Sequence, residues 1–193
     1  MGEVEGEVRS EQLDAEREAR RRVALAQIRQ YPDPVLRMQA REVETPDEAL
    51  QALVDRMTRL MTEARGVGLA APQLGILRCV LVYQTSEEDP VSALVNPRLV
   101  ASSDEREADD EGCLSLGAAS VVVPVERAVE VTVEASSPGG EPIRIEAEGL
   151  EARVLQHELD HLEGVLTIDR TTPEQRRAAL AQLRPQPVLG TFG

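Results

Sequence analysis

Apolar residues recur at helical spacing in three parts of the chain. From Leu50 to Met61 they follow each other at intervals of three and four residues, which predicts an amphipathic helix with Thr45 as its N-cap. The same spacing predicts a helix from about residue 150 to residue 163. A last helix is predicted over about residues 173–183, with Thr172 as its cap.

The two ends of the chain have a different pattern. Residues 1–27 are mostly charged, and few of their apolar positions recur at helical spacing. This pattern predicts either a solvated helix capped by Ser10 or a disordered tail. We therefore divide the chain into a charged N-terminal extension at 1–27, a single domain that carries the chemistry at 28–184, and an irregular tail at 185–193.

Runs of apolar and β-branched residues predict strands between these helices. Such runs lie at residues 76–83, 93–100, 121–125, 128–135 and 142–147. The alternation of valines at 129, 131 and 133, followed by a glycine-rich turn, predicts an antiparallel hairpin with one solvated face. The acidic stretch at 102–111 predicts an exposed loop.

Strands and helices do not alternate regularly, which argues against a parallel doubly wound sheet. The predicted fold class is α+β. Antiparallel or mixed β-sheets are expected to pack around a central helix at 150–163, with an additional helix in the N-terminal half and a C-terminal helix.

The composition narrows the classes of function. The 193 residues are 41% hydrophobic and 29% charged, and the net charge is −14. Such an acidic chain is not expected to bind DNA or anionic membranes, because both need clustered cations. No run of 18 apolar residues and no basic-then-apolar leader is present, so we expect a cytoplasmic protein. Two cysteines do not make a disulfide framework in that setting.

The chain has two histidines, and both lie in the string HELDH of the helix at 150–163. His157 and His161 are four residues apart, so both imidazoles leave one face of the helix. Such a pair can hold one metal ion, and the carboxylate of Glu158 can reach a water bound to it. The alternative is that both histidines lie on an ordinary helix face. A metal-dependent hydrolase needs a third ligand and an oxyanion partner from elsewhere in the chain.

Three motifs, taken in order, resemble those of bacterial peptide deformylase. They are GVGLAAPQLG at 66–75, EGCLSL at 111–116 and QHELDHLEGVL at 156–166, and the resemblance extends from about Tyr31 to Arg170. The resemblance implies a metal-dependent hydrolase that removes the N-formyl group from formyl-methionine at the start of nascent polypeptides and releases formate.

The resemblance also assigns roles to residues. It implies three metal ligands, Cys113, His157 and His161, and makes Glu158 the general acid/base. It implies two oxyanion stabilisers, the side chain of Gln73 and the backbone amide of Leu114. It implies four substrate-binding positions, Val67, Gly68, Gly112 and Leu150. Fe²⁺ is the expected metal, and Ni²⁺, Co²⁺ or Zn²⁺ can replace it.

The chain departs from the family at two positions near the cysteine. Gly117 stands where the family usually has proline, and Ser120 stands where it often has arginine. Neither departure touches the metal set. The resemblance further implies transient contact with the ribosome, for which Arg176 and Arg177 are the expected residues.

Two other functions share parts of this pattern. A zincin-type metallopeptidase also carries HExxH, but it would take its third ligand downstream, from Glu163, Asp169 or Glu174. A non-catalytic homologue could bind formyl peptides without cleaving them.

Overall fold

A computed structural model describes residues 2–86 and 88–183 of the chain, with side chains from residue 13 onward. The predicted tail at 185–193 lies outside the described residues. The described part contains four α-helices, α1 (Gly2–Leu25), α2 (Glu48–Ala64), α3 (Gly149–Leu162) and α4 (Pro173–Leu183). No helix in the described part of the chain is long and apolar enough to cross a bilayer.

Seven strands form two sheets among the described residues. They are β1 (Gly68–Ala70), β2 (Val80–Tyr83), β3 (Ser92–Ser102), β4 (Arg106–Gly112), β5 (Val122–Ala128), β6 (Glu130–Ser136) and β7 (Pro142–Glu148). A five-stranded sheet has the order β1-β2-β3-β6-β7, and β4 pairs with β5 in a second sheet. All these pairings are antiparallel. The predicted α+β class is confirmed.

Two predicted helix caps are wrong. Helix α2 is capped by Asp47, whose Oδ1 accepts a hydrogen bond of 2.6 Å from the backbone N–H of Leu50. Thr45 lies too far from the first turn to satisfy that donor. Ser10 lies inside α1, which begins at Gly2, so it caps nothing there.

The predicted acidic loop at 102–111 is also wrong, because most of it forms strand β4. Its pairing with β5 runs from Arg106 opposite Ala128 to Gly112 opposite Val122. Most side chains of β4 are exposed, and only Glu111 is buried. A strand of a two-stranded sheet has a free edge and a wet face, so charged residues there indicate solvation and do not exclude a strand.

Helix α3 lies at the centre of the fold, against strands of both sheets. Its fully buried Ala152 and Leu155 pack with Leu81 of β2 and Val133 of β6. On the other side of the five-stranded sheet, the apolar stripe of α2 packs on β1 and β2. Helix α3, which carries His157 and His161, is therefore held in place on most sides by apolar contacts.

The end of α3 is fixed by a close contact with an earlier segment. Gly164 has φ +74°, and a Cβ there would lie 2.6 Å from the backbone carbonyl carbon and oxygen of Arg37. Gly149, at the start of α3, has φ +55° but nothing within 4 Å of such a Cβ. The two glycines thus share a left-handed backbone and differ in the space around them.

We expect Gly164→Ala to destabilise the protein more than Gly149→Ala. Both alanines bear the left-handed strain of roughly 1–2 kcal/mol, and Gly164→Ala adds an overpacking cost of about 1–3 kcal/mol. Thermal melting of the two variants measures the difference. Equal melting temperatures would show that the backbone at Arg37 shifts to accommodate the new methyl group with no loss of stability.

Candidate metal centre and active site

Three predicted ligands come together where β4 ends beside α3. Cys113 directly follows β4, and His157 and His161 lie one turn apart on α3. The Sγ of Cys113 is 3.2 Å from Nε2 of His161, and one ligand atom from each of the three residues lies within 4.8 Å of the others. Cys113 and His161 are each 2% exposed. The cluster is therefore buried and has the donor atoms of a metal site.

The donor set fits a catalytic metal. Two imidazoles and one thiolate give three protein ligands, which leaves a coordination position open for water or substrate. Two of the three downstream residues that a zincin-type site could use are engaged elsewhere, and the third, Glu163, is exposed at the C-cap of α3. Asp169 pairs with Arg37 and Arg176, and Glu174 pairs with Arg177.

A buried carboxylate orients the first histidine. Glu111 Oε2 lies 3.0 Å from Nδ1 of His157. Because an ionised carboxylate only accepts hydrogen bonds, Nδ1 carries the proton, and the lone pair of Nε2 is free for a metal. Burial raises the pKa of Glu111, but hydrogen bonds from His157 and Arg127 outweigh it and lower this pKa to about 2. Glu111 therefore remains an anion.

Glu111 is held by a network of charges that sequence reasoning missed. Arg127 donates two hydrogen bonds of 2.9 Å to its carboxylate, and Arg153 donates a third of 2.9 Å. Arg127 also donates to Asp160 of α3 at 2.6 Å, and Asp160 accepts from Arg170 at 2.5 Å. A signal for Glu111 was present, because it stands in the motif EGCLSL, two residues before Cys113.

Glu111→Gln should weaken both the fold and the metal site. The change leaves Arg127 buried with one carboxylate partner, and removing one member of a buried pair costs about 3–5 kcal/mol. Loss of a ligand's outer partner typically costs about 10–100-fold in metal affinity. Urea unfolding and metal titration measure the two effects. Glu107→Gln, on the exposed part of the same strand, is the control, and equal behaviour of the two variants would contradict the network's role.

Glu158 is a buried carboxylate with an unpartnered oxygen. It is 3% exposed, and among the described residues no donor lies within hydrogen-bond distance of its Oε2. Burial raises the pKa of Glu158 to about 7. A Cβ on Gly68 would lie 2.8 Å from Cδ of Glu158, so any side chain at position 68 would displace the carboxylate. The group can thus accept and release a proton near neutral pH.

The amide of Gln73 has a fixed orientation beside the ligands. Its Oε1 accepts a 2.9 Å hydrogen bond from the backbone N–H of Ala70. Its Nε2 therefore faces the cluster, donating to Oγ of Ser115 at 3.1 Å and lying 3.8 Å from Sγ of Cys113. A fixed donor at this position can stabilise charge on an oxygen in the cleft.

A cleft of about 240 Å³ opens onto these groups. It is lined by nine of the ten predicted site residues, namely Val67, Gly68, Gln73, Gly112, Cys113, Leu114, Leu150, His157 and Glu158. His161, the tenth, lies behind them against Cys113. Val67 and Leu150 are 49% and 55% exposed, which gives the mouth of the cleft an apolar surface.

The two departures from the family pattern lie in one turn beside the cleft. Gly117 has φ +60°, and a Cβ there would lie 2.5 Å from Oγ of Ser120. The glycine and the serine therefore fit each other, and a larger residue at position 117 would displace Ser120. Ala119, in the same turn, lines the cleft.

Comparison with known proteins supports one family. The family model described as polypeptide deformylase matches residues 25–177. A peptide deformylase from Natranaerobius thermophilus is 47% identical over 148 residues, which are 77% of this chain and 93% of the relative. One from Acidothermus cellulolyticus is 43% identical over 162 residues, covering 84% of this chain and 87% of the relative.

Solved structures agree with the sequence relatives. A peptide deformylase from Legionella pneumophila superposes with a TM-score of 0.77 at 41% identity, covering 81% of this chain and 91% of that one. One from Synechococcus elongatus, in complex with actinonin, gives a TM-score of 0.76 at 38% identity over 80% of this chain and 85% of that one. The predicted resemblance is confirmed, and the chain belongs to the polypeptide deformylase family.

Proposed function

We propose that this chain is a metal-dependent hydrolase that removes the formyl group from N-terminal formyl-methionine of nascent polypeptides and releases formate. The proposal is carried by one observation. In a member of the deformylase family, Cys113, His157 and His161 form a cluster at the wall of the cleft that Glu158 also lines. Amide hydrolysis needs a metal site and a proton-transfer group together, and the cleft offers both.

Cys113, His157 and His161 would hold the metal. A divalent ion held there would supply Lewis acidity and would make water at the site more acidic. The thiolate adds a negative charge and a soft donor, which suits Fe²⁺ and also Ni²⁺, Co²⁺ or Zn²⁺. Fe²⁺ is the ion we propose. A thiolate beside ferrous iron is open to oxidation, so the protein should be purified without oxygen.

Glu158 would act as the general acid/base. Its carboxyl group is buried in the cleft next to His157, and its pKa is raised to about 7 by burial. It can take a proton from the attacking water and later deliver that proton to the leaving amine. The unpartnered Oε2 is the atom available for this transfer.

Gln73 and Leu114 would stabilise the negative charge that develops on the formyl oxygen. Gln73 presents Nε2 to the cleft because Ala70 holds its Oε1. Leu114 follows Cys113 directly and lines the same cleft, which supports this role for its backbone amide. Removing one such donor typically costs about 10²–10³ in rate.

Four further residues would bind the formyl-methionine. Val67 and Leu150 present apolar side chains at the mouth of the cleft, which suits a methionine side chain. Gly68 and Gly112 line the cleft without side chains, which lets the peptide backbone approach closely.

Formate release from a formyl-Met peptide is the direct test. The protein should be purified anaerobically with iron or reconstituted with nickel, and it should release formate from the formylated peptide only. Cleavage of internal peptide bonds would instead favour a zincin-type metallopeptidase. Binding of the peptide without formate release would favour a non-catalytic homologue.

Contact with the ribosome remains a prediction. The side chains of Arg176 and Arg177 on α4 are 44% and 74% exposed, and each pairs with a carboxylate at about 3 Å. Because such exposed pairs are worth about 0–1 kcal/mol, the arginines can exchange partners readily.

A further inference from the structure

The segment at residues 29–31 is hydrogen-bonded to the backbone of both residues, Gln73 and Leu114, that we assign to the developing oxyanion. The backbone N–H of Arg29 donates to the backbone oxygen of Gln73 at 2.7 Å. The side-chain Nε2 of Gln30 donates to the backbone oxygen of Leu114 at 2.8 Å. The backbone N–H of Tyr31 donates to the backbone oxygen of Ser115 at 2.9 Å. Three consecutive residues thus bind both the segment that carries Gln73 and the segment that carries Leu114.

Gln73 and Leu114 follow strands that belong to different sheets. Gln73 lies in the short 3-10 turn that follows β1, which is the edge strand of the five-stranded sheet. Leu114 follows β4, which belongs to the two-stranded sheet. No β-ladder joins β1 to β4 among the described strands, so sheet pairing does not fix the distance between the two donors. Two links span that gap: the hydrogen bond of 3.1 Å from Gln73 Nε2 to Oγ of Ser115, and the backbone of the 29–31 segment.

The turn after Cys113 holds backbone strain beside the site. Ala118 and Ala119 have φ of +54° and +65°, and left-handed backbone costs an L-residue roughly 1–2 kcal/mol. Oε1 of Gln30 accepts a 3.2 Å hydrogen bond from the backbone N–H of Ala118. The same side chain therefore binds Leu114 at the start of the turn and Ala118 near its end.

We propose that Gln30 is a positioning residue for this reaction. Through Leu114 and Ala118 it fixes the turn that carries one oxyanion donor, and the 29–31 backbone ties that turn to Gln73, which carries the other. Gln30 does not line the cleft, so it acts on the reaction only through these contacts. The proposal rests on the proposed function, because it concerns stabilisation of the formyl oxygen.

Gln30→Met and Gln27→Met form a matched pair of variants. Both glutamines are half-buried in the same part of the chain, but Gln27 accepts its hydrogen bond at 3.3 Å from Arg56, away from the cleft. Met has a similar length and makes no hydrogen bonds of this kind. We expect Gln30→Met to lower kcat about 10-fold with little change in KM, which is less than the loss of a donor itself. Gln27→Met should match the wild type.

A third variant separates the two hydrogen bonds of Gln30. Gln30→Glu keeps an oxygen for the N–H of Ala118 but cannot donate to the oxygen of Leu114. If the bond to Leu114 sets the position of the donor, this variant should be as slow as Gln30→Met. A wild-type kcat for Gln30→Glu would overturn that assignment.

Hydrogen exchange gives a readout independent of turnover. The peptide covering residues 112–120 should exchange its amides faster in Gln30→Met than in Gln27→Met, while metal content and melting temperature agree between the two. If neither exchange nor kcat separates the pair, the positioning role is wrong. If the wild type itself releases no formate, the proposed function fails, and the exchange result still decides whether Gln30 holds the turn.

Discussion

The Cys113→Ala protein is expected to fold and to lose its metal. Cys113 would supply the sulfur donor, 3.2 Å from Nε2 of His161, and the change leaves two imidazoles on one helix. Since loss of an outer partner alone costs about 10–100-fold in affinity, loss of a ligand should cost more than about 10³-fold. Metal analysis after gel filtration should then find little of the wild-type content, and formate release should disappear with it.

Cys79→Ala is the matched control for this change. Cys79 is the other cysteine of the chain and is half-buried, and burial raises the pKa of its thiol to about 11. It is therefore a neutral thiol at physiological pH and lies outside the ligand cluster. The control should keep both metal and activity. Full metal content in Cys113→Ala would point to another third ligand, as the zincin-type alternative requires.

Local patterns in the sequence predicted the helices near the site well. The apolar stripe of α2 and the HELDH helix both follow a period of 3.6 residues, and α3 spans Gly149–Leu162 against a predicted 150–163. The i and i+4 spacing of His157 and His161 alone predicted a shared face. These features need only the geometry of one helix, which a short stretch of sequence contains.

The charge network around the site could not be predicted in the same way. Glu111, Arg127 and Asp160 are distant in sequence, and they meet only because β4 pairs with β5 in one particular register and α3 packs beside them. Asp160 is a charged residue of α3 and is nevertheless buried, since two arginines compensate its charge. Periodicity describes one element at a time and cannot report such partners.

The same limit applies to the 29–31 segment. The prolines at positions 32 and 34 favour an extended chain with turns just after it. Its hydrogen bonds to Gln73, Leu114 and Ser115 join parts of the chain more than forty residues apart, which no local pattern indicates. The motif resemblance assigned roles to Gln73 and Leu114 without saying what holds them. That information lies in the tertiary structure.

Glu158→Gln should abolish most of the activity and leave the metal bound. Glutamine has the size of glutamate, but it cannot take a proton from water or return one to the leaving amine. General acid–base catalysis contributes about 10²–10⁴-fold, so we expect kcat to fall by that factor with KM nearly unchanged. Formate release and metal content measured on the same preparation test both parts. Glu163→Gln, an exposed change on the C-cap of the same helix, should keep full activity.

Stability distinguishes a catalytic role for Glu158 from a structural one. Its carboxyl group is 3% exposed, and within the described residues no donor reaches its Oε2, so burial of its charged form costs free energy. A neutral glutamine removes that cost, and Glu158→Gln should therefore melt no lower than the wild type. If Glu158 had a structural role instead, Glu158→Gln would have a lower melting temperature and nearly the wild-type kcat. Slow turnover in a protein of equal or higher melting temperature supports a role for Glu158 in the reaction over a role in the fold.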